Sequence, residues 1–160
     1  MDHPEQSLDV RFMREALKQA RLAAENNEVP VGAVIVHEGR TIAKAHNQVE
    51  TLRDPTAHAE MIAMTQAANA LSSKWLNACT LYVTIEPCSM CAGAIVLARL
   101  KKICFGASDP KTGACGSVIN IVRHDKLNHK VSVSGGILET ECGELVSRFF
   151  QQKRAEQKSI

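Results

Sequence analysis

Apolar side chains recur at helical spacing near the start of the chain: Val10, Met13, Leu17, Ala20 and Ala24, with Arg and Glu between them. A stripe of that period predicts an amphipathic helix over residues 9–26, ended by Asn26 and Asn27. The period then shortens. VGAVIVH (31–37) and TIAKAHN (41–47) are β-branched or alternating runs separated by Glu38-Gly39, which predicts a hairpin. After the polar stretch QVETLRDP, Thr56 is a candidate cap for a helix that carries His58 and Glu60 in its first turn. That helix continues through Met61, Met64 and Ala68 to about Leu71. TLYVTIE (80–86) reads as a strand, CSMCAGAIVLAR as a short helix opened by Cys88, and KKICFG (101–106) as another strand. A loop of small residues follows over 106–117, then a last strand, KVSVS (130–134), and a helix from Glu139 to about Lys158.

Strands alternating with helices after an opening hairpin imply an α/β fold, a three-layer α/β/α sandwich on a mixed five-stranded sheet. With no repeat, linker or low-complexity segment, residues 1–160 are expected to form one domain. A chain of this length buries about 68–70% of the surface its unfolded form exposes, and 45% hydrophobic with 22% charged residues is ordinary for a globular protein. No stretch nears the roughly 18 apolar residues of a membrane span. The N-terminus lacks a charged-then-apolar signal pattern, so a cytoplasmic location with no membrane partner is expected. Six cysteines in that setting suit free thiols or metal ligands better than disulfides. The net charge of +2 is divided unevenly, −3 over residues 1–60 and +5 over 61–160. This is compatible with a polyanionic partner and equally with plain solvated surface.

Chemistry concentrates in two short segments. Cys88 and Cys91 are three apart at a helix start, so both thiols share a face and lie where the helix dipole favours thiolate. His58 opens another helix after a strand-and-loop unit, and helices starting at one sheet edge bring their first turns together. One His and two Cys suit zinc, whose tetrahedral shell keeps a fourth position for water. Glu60, two residues on, points well away from His58 but within reach of that water. A metal-activated water beside a carboxylate proton shuttle implies hydrolytic attack on an electrophilic carbon. Two other readings remain at this point. A redox pair needs only the cysteines and leaves His58 and Glu60 idle; a closed structural site usually draws on a second CxxC or an HxxxH pair, and neither is present. Cys79, Cys104, Cys115 and Cys142 read as core or loop filling.

TAHAEM (56–61) with EPCSMCAGA (86–94) closely resembles the zinc-dependent cytidine/nucleoside deaminase superfamily, whose H-x-E…P-C-x-x-C signature these segments match. EVPVGAVIVH (28–37), FGASDPKTGACGS (105–117), NHKV (128–131) and GILETEC (136–142) extend the likeness to the branch acting on tRNA anticodons. The resemblance implies a cytidine deaminase-like fold and a homodimer with one Zn2+ per subunit, held by His58, Cys88 and Cys91. Its partner would be a tRNA anticodon stem-loop, chiefly of an arginine tRNA, whose wobble adenosine becomes inosine. Glu60 would be the general acid and base, moving a proton to N1 and then helping ammonia leave. Asn47 would hydrogen-bond the target base, although a strand-end Asn is equally often a turn residue. Val31 and Pro87 would be pocket walls, with Ala59 also in contact with substrate. Asp109 and Lys111 would touch neighbouring nucleotides, and Phe149, Phe150, Lys153 and Arg154 would form an aromatic-then-basic helix against RNA. Helical geometry lets at most one of the two adjacent phenylalanines face RNA. The alternative is a deaminase of a free base or nucleoside such as guanine or cytosine.

Overall fold

The structure is a computed structural model that describes residues 4–159. Helix α1 (Pro4–Glu25) precedes a hairpin of β1 (Gly32–His37) and β2 (Arg40–His46). A single turn, α2 (Val49–Leu52), and helix α3 (Ala59–Leu71) lead to β3 (Cys79–Ile85). Then come α4 (Ser89–Leu97), β4 (Lys102–Ala107), β5 (Ser132–Ser134) and α5 (Glu139–Lys158). The sheet runs β2-β1-β3-β4-β5; β1 is antiparallel to both neighbours, and β3, β4 and β5 are parallel. The five-stranded mixed sheet with helices on both sides is the architecture the alternation implied.

Strand alternation divides the core in two. Ala33, Ile35, Leu81, Val83 and Ile103 face α3 and α4, where they pack with Ala63, Ala67 and Ile95. Val34, Val36, Tyr82 and Cys104 face α1 and α5, meeting Phe12, Met13, Leu17 and Cys142. The Tyr82 hydroxyl donates to Asp9 Oδ1 at 2.7 Å, giving a buried phenol its partner. Gly32 is where α1 lies closest: a Cβ there would collide with the backbone of Ala16 and Ala20, so only glycine permits the contact.

Local details depart from the sequence expectations. Helix α1 begins at Pro4, five residues before the expected start at residue 9. QVETLRDP is not all loop, since Val49–Leu52 form α2. Thr56 does not cap α3: its N–H and hydroxyl both turn back onto Asp54 Oδ1, at 2.8 and 2.7 Å. His58 occupies the cap position without a capping bond of its own. The Ala59 N–H is met instead by Asn47 Oδ1 at 2.8 Å, from the end of β2. The last strand is shorter than expected, three residues rather than five.

Candidate metal centre and substrate cavity

Strand β3 ends at Ile85, two residues before Pro87, which has no N–H to continue a ladder and disfavours helix in the residue before it. The chain turns there into α4, with Cys88 at the cap and Cys91 in the first turn. Helix α3 starts at the same edge. His58 Nδ1 therefore stands 3.6 Å from Cys88 Sγ and 3.5 Å from Cys91 Sγ, and the three ligand atoms lie within 4.8 Å of one another. Tetrahedral bonds of about 2.3 Å to sulfur and about 2.0–2.1 Å to nitrogen put N and S about 3.5 Å apart. The donor set and its spacing fit a zinc ion.

The three groups are electrostatically one unit. Hydrogen bonds from Cys91 and then His58 pull the Cys88 thiol down to about 4. Cys91 is driven up by its bond to Cys88 and by burial. His58 is raised, first by its bond to Cys88. The Cys88 thiolate is thus stabilised by donors that a dication would replace.

Glu60, in the first turn of α3, is only 3% exposed and stays outside the ligand cluster. Burial pushes its carboxyl above the ordinary carboxylate range. A cavity of about 380 Å3 opens above it, lined by His58, Glu60 and Cys88 on the floor and by Val31, Asn47 and Ile85 around it. Asn47 is buried, and its Oδ1 is taken by Ala59. Its Nδ2 has no protein partner among the described residues and is left to donate into the cavity.

The MafB19-like deaminase family matches residues 8–154. Over 94% of both chains this protein is 48% identical to the tRNA-specific adenosine deaminase of Bacillus subtilis (strain 168). It is 52% identical to that of Aquifex aeolicus (strain VF5), over 89% of this chain and 94% of the relative. The chain belongs to the tRNA-specific adenosine deaminase family. Its fold agrees with a solved tRNA:A34 deaminase, from a study of A-to-I editing at the wobble position of transfer RNA. The TM-score is 0.82 at 44% identity, over 84% of this chain and 98% of that one.

In this tRNA-specific adenosine deaminase family member, the remaining expected site residues are distributed unevenly. Val31 and Asp109 line the cavity. Ala59 is fully buried and contributes its N–H to Asn47 rather than a surface. Pro87 is buried beneath the floor, where its carbonyl accepts the N–H of Ala114. Asp109 is occupied within its own loop: Oδ1 accepts the N–H groups of Lys111 and Thr112, and Oδ2 the Thr112 hydroxyl. Desolvation opposes its charge, yet these bonds hold the carboxyl below its ordinary value.

Helix α5 presents two faces. Phe150 and Arg154 share a shallow groove with Lys111 and Gln151, facing solvent. Phe149 and Lys153 turn the other way, toward the end of α1, where Lys153 Nζ donates to Asn27 Oδ1 at 2.8 Å. Phe149 is buried and Phe150 is 41% exposed, so one phenylalanine of the pair is available to a ligand.

Two residues to which sequence reasoning gave no role shape the cavity. Glu28 is 1% exposed; Oε1 accepts the Glu50 N–H at 3.0 Å, and Oε2 accepts the N–H and hydroxyl of Thr51 at 2.7 and 2.6 Å. It thereby pins α2, whose Val49 and Glu50 form one cavity wall. Glu86, also buried, accepts from Asp109, Cys115 and Ser117 N–H groups at 3.1, 3.0 and 3.1 Å and from the Ser117 hydroxyl. It pins the opposite wall, which carries Asp109 and Thr112. The available signal was position: an acidic residue opening a strand run in EVPVGAV, and another fixed before Pro87.

Proposed function

We propose that this enzyme hydrolyses the wobble adenosine of a tRNA anticodon, chiefly that of an arginine tRNA, to inosine and ammonia. One observation carries the reading: a single cavity joins the His58-Cys88-Cys91 cluster, a buried carboxylate outside that cluster, and an amide donor with no protein partner among the described residues. The names of its relatives supply the substrate class.

Zinc bound to His58, Cys88 and Cys91 would supply an activated water as nucleophile. Glu60 takes one proton of that water and places it on N1 of the adenine as the water oxygen bonds C6. It then passes the remaining hydroxyl proton to the amine, which leaves as ammonia when the C6–N bond breaks. Burial raises the pKa of Glu60, the direction that favours a carboxylate able to hold a proton and return it. Asn47 Nδ2 donates to an acceptor on the base, and Val31 and Ile85 pack against the ring. A cavity of this size takes one extruded nucleotide, and an anticodon loop lowers the cost of extrusion, otherwise a few kcal/mol. Lys111, Phe150 and Arg154 would lie along the neighbouring nucleotides.

The chain would act as a single-domain subunit of a homodimer in the cytoplasm. Leu97, Val118 and Ile119 are 78%, 52% and 48% exposed and give apolar surface that a second copy would cover. Among the described residues no helix is long and apolar enough to cross a membrane.

The deciding experiment offers an anticodon stem-loop, free adenosine, guanine and cytosine to the zinc-loaded enzyme. Inosine in the stem-loop alone is the expected result. Ammonia from a free base with an inert stem-loop overturns the reading.

A further inference from the structure

At the end of the sheet opposite the metal centre, the segments around the starts of β3, β4 and β5 are strongly basic, while the β1–β2 turn beside them carries Glu38 and Arg40; the proposed reaction uses none of these. β3 runs from Cys79 at that end to Ile85 beside the cavity, so about 20 Å of strand separates the two. Three segments meet there through backbone bonds: Leu76 N–H to Ala98 O, Lys101 N–H to Cys79 O, and Ser132 N–H to Lys101 O. A fourth, the loop over 123–130, is tied in by Arg123 to Val131 O and by His129 Nε2–H to Leu100 O.

These segments carry Lys74, Arg99, Lys101, Arg123, Lys126 and Lys130, all exposed. The only carboxylate on them is Asp125, 3.8 Å from Lys130. Six cations against one anion, in a chain of net charge +2, leave the rest of the molecule net negative. Such separation makes a focused positive field rather than scattered surface charge. Trp75, 42% exposed, sits in the patch with Lys74 Nζ at 4.6 Å and Arg99 Cζ at 4.5 Å from its ring. An aromatic among lysines and arginines suits a strand of phosphates with bases available to stack.

We propose that this basic end is a second RNA-docking surface, which holds the phosphate backbone irrespective of sequence and apart from the deaminating cavity. The choice of RNA over another polyanion rests on the tRNA reading above. The segments that form the patch contain no glycine and so no Gly-rich phosphate cradle, and their contribution is electrostatic. Binding there should follow counterion release, with log K falling by about 0.7–0.9 per phosphate contact for each tenfold rise in salt.

The test compares the zinc-loaded wild-type enzyme with Lys101→Glu/Arg123→Glu/Lys126→Glu and with the corresponding triple Gln variant, which guards against misfolding from charge reversal. The probe is a fluorescent RNA hairpin with no adenosine in its loop, titrated over a salt series; deamination of an anticodon stem-loop is measured alongside. Hairpin affinity at low salt should fall at least tenfold in both variants, with a shallower salt slope, while kcat/KM on the stem-loop stays within twofold. Unchanged hairpin affinity overturns the proposal. So does stem-loop deamination that falls in step, because the patch would then belong to the substrate path. Vesicles containing phosphatidylglycerol form a separate arm; loss of vesicle binding with hairpin binding intact assigns the patch to a membrane surface and overturns it too. A wild-type enzyme inert on the stem-loop would count against the tRNA reading, and the hairpin titration is read independently of it.

Discussion

The amide of Asn47 faces two ways: Oδ1 accepts the Ala59 N–H at 2.8 Å at the start of α3, while Nδ2 is left to the cavity. The two ends can be separated by mutation. Asn47→Asp keeps an acceptor at a helix N-terminus, where the dipole favours an anion, and removes the donor. Its melting temperature should stay within about 3 °C of wild type, a change below roughly 1 kcal/mol. Its kcat/KM on a stem-loop should fall about tenfold or more, the worth of one hydrogen bond to substrate. A large loss of stability with activity retained would mean that the amide only caps. Glu60 is separable in the same way, because it is buried beside the ligands without being one. Glu60→Gln preserves shape but cannot carry a proton back and forth. Zinc content should remain at one per chain while kcat falls by about 10^2–10^4. Activity within tenfold of wild type would remove Glu60 from the proton path.

Between elements, the cavity walls depend on carboxylates rather than on their own helices. α2 is one turn of four residues and too short to persist alone; Glu28 supplies the partners for its first N–H groups. This is why the turn could not be read from QVETLRDP: what holds it lies some twenty residues upstream, beyond any local pattern. The misplaced cap has the same origin, since Thr56 has the right chemistry but lies two residues before the cap position, and the donor is met by Asn47 from outside the local pattern. The longer helices and the strands were legible because their apolar period is intrinsic to them. Desolvation works against the Glu28 charge, yet the bonds from Thr51 and Glu50 outweigh it and lower the carboxyl's pKa. A folded pKa below the unfolded one stabilises fully above the unfolded value, and that stabilisation is lost as pH falls through the folded value. Glu28→Gln should therefore cost about 1–3 kcal/mol at pH 7. The gap between variant and wild type should begin to narrow near the ordinary carboxylate range, about pH 4–5, and close at lower pH. Urea unfolding of both proteins from pH 3 to 7 measures this, and a gap that widens toward acid would contradict the assignment. In kinetics the same variant should raise KM more than it lowers kcat, since it loosens a wall rather than the floor.

Across the molecule, the clustering of His58, Cys88 and Cys91 was more legible than the proposed RNA contacts because metal ligation fixes residue type and spacing together. A phosphate contact does neither. Phe149, Phe150, Lys153 and Arg154 are adjacent in sequence, yet α5 sends Phe149 and Lys153 toward α1 and leaves Phe150 and Arg154 beside Lys111. The same contrast separates the cysteines. Six are present, and five are buried; Cys88 alone is partly exposed, because only it caps a helix on the floor of the open cavity. Burial raises Cys79, and raises Cys104, Cys115 and Cys142 to about 12, which makes them inert as well as inaccessible. A thiol reagent therefore reports on the metal centre without interference from the core. Enzyme stripped with a chelator should show one fast-reacting thiol per chain, and zinc-loaded enzyme none, with the other five appearing only on unfolding. Cys88→Ser should abolish the fast thiol and lower zinc content together. Two fast thiols in the stripped enzyme would place Cys91 in solvent, contrary to its burial. A fast thiol that persists at full zinc loading would take Cys88 off the metal.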